Sequence, residues 1–100
     1  MGSGALYNEG GIISVAHSLF QQNRYALDHA FGTTSVIQSV FLNNDQYGIY
    51  TSSDPSVVSA EDNWWGTITG PYHPTLNPDG LGDALSGNVS FIPWLNSPPN

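Results

Sequence analysis

The apolar residues of this chain fall in short runs that recur at a nearly fixed interval. Ser35-Val36-Ile37-Gln38-Ser39-Val40-Phe41 repeats Ser14-Val15-Ala16-His17-Ser18-Leu19-Phe20, with Ser, Val, Ser and Phe in register. Ser56-Val57-Val58-Ser59-Ala60 reads as a third copy, as far beyond Ser35 as Ser35 is beyond Ser14. A second half-unit, Tyr25-Ala26-Leu27, returns as Tyr47-Gly48-Ile49 with one residue of slack, and Gly4-Ala5-Leu6-Tyr7 is an earlier half-copy. Self-similarity at such a period marks an architecture in which each unit buries its apolar face against its neighbours. Apolar residues never follow helical spacing over several turns, and β-branched residues, Gly and Asn dominate. Each unit therefore reads as short strands joined by bends.

The aligned copies predict columns. Val15, Val36 and Val57 share one, Phe20 and Phe41 a second, and Leu6, Leu27 and Ile49 a third. Val36, Phe41 and Ile49 are the predicted core of the middle unit. Val and Phe stand an odd number of residues apart, so both face inward only if the strand bends between them. The bend belongs at the polar column His17, Gln38 and Ser59. Asn23 and Asn44 share a column beside a second turn, where Asn tolerates left-handed backbone and stacked amides can bond along the axis. A chain that turns in this way and repeats in register is a coil of parallel strands ~4.8 Å apart.

Composition narrows the partners. Only 9% of residues are charged, yet 12% are aromatic, which excludes a disordered polar chain. With Arg24 as its one Lys or Arg and a formal charge of −7, the chain cannot neutralise phosphates. Nucleic acid and anionic membrane are not expected partners. There is no cysteine, hence no disulfide or thiol chemistry. No apolar run reaches the ~18 residues of a membrane span. Met1-Gly2-Ser3-Gly4 has neither the basic nor the apolar part of a signal peptide and reads as a cloning remnant.

After Ala60 the repeat dissolves. Asp62 is expected where the earlier copies carry Phe, with Trp64 and Trp65 following. Thr67 to Pro78 is rich in Gly and Pro, Asn77-Pro78-Asp79-Gly80 has the composition of a type I turn, and Val89 to Leu95 reads as one last strand. Ser-x-Phe-x-Asn-Asn-x-x-x-Gly-Ile-Tyr in the repeats resembles the right-handed parallel β-helix repeats of the pectate-lyase-like superfamily. Glu61-Asp62-Asn63-Trp64-Trp65-Gly66, Gly70-Pro71 and Gly87 to Leu95 resemble the closing segment of secreted bacterial and archaeal β-helix proteins. The resemblance implies one all-β domain over residues 1–100, a right-handed parallel β-helix of about three rungs at 5–60. Residues 61–100 then form an irregular excursion and a Trp-rich C-terminal cap. It also implies an extracellular or cell-surface location, as part of a longer secreted protein.

Candidate chemistry is sparse. Trp64, Trp65 and Tyr72 are the residues on which a sugar ring could stack, with Trp64, Trp65 and Trp94 read first as the apolar plug of the cap. Asp79 and Asp83, flanking Gly80-Leu81-Gly82, are the candidate calcium ligands; a solvated turn is the alternative. His17, His29 and His73 share no column, so a common zinc site is not expected. The lyases and hydrolases that the resemblance brings in use calcium with a base, or paired Asp residues across a glycosidic bond. Here there is no Lys, Arg24 is placed to pair with Asp45 one rung above, and Asp28 and Asp45 fall in different columns. The expectation is a structural or interaction module that is not an enzyme and needs no cofactor. The alternative is a carbohydrate-binding module, or the inert C-terminal portion of a polysaccharide-active enzyme. The first rung, Gly11 to Leu27, would offer unpaired backbone and an apolar cross-section at its N-terminal side. Self-association there, as a two-fold dimer, is the expected partnership.

Overall fold

The computed structural model describes residues 4–51 and 57–99. Met1, Gly2 and Ser3 of the supposed remnant, and Ser56 of the supposed third copy, lie outside the described residues. The strands are β1 (Gly4–Ala16), β2 (Leu19–Gln21), β3 (Tyr25–Ile37), β4 (Val40–Leu42), β5 (Tyr47–Thr51), β6 (Val58–Ser59), β7 (Pro71–Tyr72), β8 (Gly82–Ser86) and β9 (Val89–Ser90). There is no helix among the described residues, so the chain is all-β. Every pairing between these strands is parallel. The larger sheet runs β7-β8-β5-β3-β6-β9, with β1 also paired to β3, and it is curled; β2 and β4 form a second, two-stranded sheet.

The long strand β3 is the centre. Its first half pairs with β5 and its second half with β6, while β1 runs along its other edge over both halves. Between the halves the β1–β3 register shifts, near Asn8, Glu9 and Ile12. Polar side chains fill the inside of that corner. The Asn8 amide donates to the Thr33 carbonyl at 3.0 Å and to the Thr34 hydroxyl at 2.9 Å, and its oxygen accepts the Gly11 N–H at 2.9 Å. His29 Nδ1 lies 3.0 Å from the same Thr34 hydroxyl. Asn8, His29 and Thr34 are buried, and their mutual bonds offset the cost of desolvating them. Gly32 is required here: its φ is +110°, and a Cβ would stand 2.6 Å from the Gly11 carbonyl oxygen.

Three columns make the core. Leu6, Leu27, Ile49 and Leu85 are in register. Val15 pairs with Val36, and the Phe20 and Phe41 rings stack at 4.9 Å. Val36, Phe41 and Ile49 are fully buried. The bend that brings Val and Phe to one interior is a single left-handed residue, His17 at φ 54° and Gln38 at φ 51°.

The third copy departs from the frame of the first two. Ser35 pairs with Ser59, so Ala60 and not Val57 falls in line with Val36. Val57 is exposed, whereas Val58 and Ala60 are buried. The bend residue of this copy is Asp62, at φ 63°, in place of Ser59, and Trp65 follows where Phe is due. Its ring lies on Phe41 at 4.2 Å and 13°. The second bend is also offset by one: Gln22 and Asn43 adopt the left-handed backbone, and the following Asn23 and Asn44 are free to bond.

Candidate functional site

The residues singled out in the sequence separate into three places. Trp65 is buried, the third ring of the aromatic column, and presents no face to a ligand. Trp64 is half-buried and bridges Val40, and Tyr72 stands on β7 with 40% of its surface exposed. Of the three, Tyr72 lines a cleft described below. Trp94 stacks near Phe91 at 6.1 Å and donates its indole N–H to the Ile68 carbonyl at 2.9 Å. The calcium pair, Asp79 and Asp83, meets two different surroundings. Asp79 is exposed on its turn, whereas Asp83 accepts bonds from Asn44. No group of three or more His, Cys, Asp or Glu able to hold a metal ion occurs among the described residues.

Asn23, Asn44 and Asp83 form one line. The Asn44 side-chain oxygen accepts both the backbone N–H and the side-chain amide of Asn23, each at 3.1 Å. The Asn44 amide in turn donates to Asp83 Oδ2 at 2.6 Å and to the Phe20 carbonyl at 3.0 Å. Burial pushes the Asp83 carboxyl above the usual range, against the bonds from Asn44 that favour its charged form. The Arg24 guanidinium, expected to pair with Asp45, lies 5.8 Å from the centroid of the Tyr25 ring.

A second polar line runs on the outside of the sheet. Ser14, Ser35, Ser59 and Ser90 are in register on successive strands. Glu61 closes the line, accepting a hydrogen bond from Ser59 at 2.7 Å and another from Ser90. Those hydroxyls, Ser90 first, hold the Glu61 carboxyl below its ordinary range.

A cleft of about 640 Å³ lies between the 72–76 segment and the end of β8. Tyr47, Tyr72, Thr75, Leu76, Ser86 and Asn88 are among its lining residues. Tyr47 belongs to a tyrosine cluster on the outer face, with Tyr25 and Tyr50 at 5.7 and 5.4 Å and Tyr25 stacked on Tyr50 at 5.1 Å. The opposite wall is fixed by His73. Its ring stacks on Phe91 at 5.7 Å, and its Nδ1 accepts the N–H groups of Leu76 at 3.1 Å and Thr75 at 3.3 Å, which places the ring proton on Nε2. His73 and Asn77 exchange backbone bonds of 3.1 Å, and the Asn77 amide donates to the carbonyls of Thr69 and Pro71. In the sequence, Tyr72 is already a stacking candidate, whereas nothing around His73 marks it as more than a loop residue.

A different concavity lies at the β1 end of the core. About 430 Å³ of open space is lined by Leu6, Val15, Leu19 and Phe20, with Leu19 59% exposed. Among the described residues β1 pairs with β3 alone. Comparison with family models, with curated proteins and with solved structures finds no match for this chain.

Proposed function

We propose that this chain is a right-handed parallel β-helix with a Trp-rich cap, and that it works as a non-catalytic structural and interaction module of an extracellular protein. Handedness is supported by the parallel connections between β1, β3 and β5, since crossovers between parallel strands of one sheet are right-handed in nearly all proteins. The cap reading is supported by Phe91, which takes Trp94 and His73 against it at the far end of the core. The commitment of Asp83 to Asn44, and of Glu61 to two serines, supports a structural use of the acidic side chains.

The observation that carries the interaction is β1. This 13-residue strand pairs with β3 along one side, and the core beneath it opens between Leu6, Val15 and Leu19. A row of unused N–H and C=O groups beside exposed apolar surface is a template for strand addition. A second copy satisfies both needs at once. Two β1 strands related by a two-fold axis would run antiparallel, join the sheets and cover both openings. Light scattering behind size exclusion, over about a hundredfold range of concentration, tests this. A dimer that dissociates on dilution, and that Leu19→Lys weakens, is the expected result. A monomer at every concentration would refute the second copy as partner.

A further inference from the structure

The 640 Å³ cleft does not belong to the β1 edge, and its chemistry points elsewhere. We infer that it is a binding site for a neutral saccharide, held between Tyr47 and Tyr72 and hydrogen-bonded by the side chains around them. Its volume falls in the range of small-molecule sites, roughly 300–1,000 Å³. Two tyrosines supply aromatic surface for the C–H faces of a pyranose, and Gln46, Thr75 and Ser86 supply a neutral amide and hydroxyls for its hydroxyl groups. No lining residue carries a formal charge, and the chain has a single Lys or Arg for eight acidic residues. A uronate or a nucleotide would therefore enter an acidic field with no cation to meet it. A neutral polyol meets no such penalty.

The walls are also prebuilt. The bonds to His73 Nδ1 and the exchanged bonds with Asn77 hold the 72–77 segment, while Tyr25 and Tyr50 hold Tyr47 from the other side. A ligand entering such a site does not have to order the loop that receives it, which favours affinity. Nothing in this depends on β1, so a monomeric chain would bind equally well.

The test is an amide-resolved NMR titration of the full chain with neutral hexasaccharides of β-1,4-linked glucose, xylose and mannose. Trigalacturonate serves as the acidic counter-probe. Saturable shifts confined to residues 46–47, 72–76 and 86–88 with one of the neutral sugars, and none with trigalacturonate, are the expected result. Tyr72→Ala, at an exposed position, should weaken that binding about tenfold, the size of a lost aromatic contact, while Tyr72→Phe keeps it. The absence of saturable shifts with all three neutral sugars would overturn the inference. So would equal binding of trigalacturonate, or affinity unchanged in a folded Tyr72→Ala variant.

Discussion

Phe41 is the side chain whose removal tests the packing most directly. It is fully buried and is the middle ring of a column. Phe20 lies at 4.9 Å and 19° on one side, and Trp65 at 4.2 Å and 13° on the other. Phe41→Ala removes the transfer energy of a benzyl group and leaves a cavity between two rigid rings, for which core Phe→Ala changes cost about 3–5 kcal/mol. Two aromatic contacts are lost together, each worth about 0.5–1.5 kcal/mol beyond its area, so the upper half of that range is expected. A domain of this length has about 5–15 kcal/mol in total, so the loss is a large fraction of it. Phe20→Ala gives the internal control. Phe20 has one aromatic neighbour in the column, and its cost should be smaller by about 1 kcal/mol. Urea unfolding followed by tryptophan fluorescence measures both, with the slope checking that unfolding stays two-state. A loss below about 1 kcal/mol for Phe41→Ala would mean that the stacked column does not carry the core.

Two further predictions concern the carboxylates. The Asp83 carboxyl is raised by burial, so its charge opposes folding once the pH exceeds the ordinary Asp value. Asp83→Asn keeps an acceptor for the Asn44 amide without the charge, and should leave stability at pH 7 unchanged or higher by urea unfolding. A loss above about 1 kcal/mol would show that the charge-assisted bond outweighs the burial. Glu61 has the opposite sign. Its carboxyl is held low by Ser90 and Ser59, so its contribution is present above the ordinary Glu value and is lost as the pH falls through its depressed folded value. Glu61→Gln should therefore flatten the acid limb of the stability curve, and an unchanged limb would remove Glu61 from that role.

Much of the fold was legible because the same side chains recur at the same depth. Leu6, Leu27 and Ile49 fall in register as their spacing implies, as do Val15 with Val36 and Phe20 with Phe41. The odd Val-to-Phe interval required a bend, and His17 and Gln38 supply it. The third copy misled for a physical reason. Ser56-Val57 imitates Ser35-Val36, but the true partner of Ser35 is Ser59, because the connection entering this copy is longer than the one before it. Depth settles the matter where letters do not: Val58 and Ala60 are buried and Val57 is not. The same shift hid Trp65, which replaces Phe in the column and so left the sequence with an apparent gap at Asp62.

The candidate site was less legible, and the reason lies in how it is made. A repeat reports on positions that see the same neighbours in each copy. Asp83 reaches Asn44 across 39 residues, after the excursion that begins at Thr67, and no periodicity links the two. The cleft has the same origin. Its floor is β8, paired on one side with β5 and on the other with the short strand β7 at Pro71 and Tyr72. Beyond Tyr72 the chain leaves the sheet, and the segment pinned by His73 stands clear of Ser86. A regular further strand would have covered that edge and filled the space. The irregular turn leaves it open, with Tyr72 and Tyr47 both among its lining residues. In this chain the repeats build the core, and a ligand-sized concavity arises where the repeat is broken and the break is held rigid by hydrogen bonds.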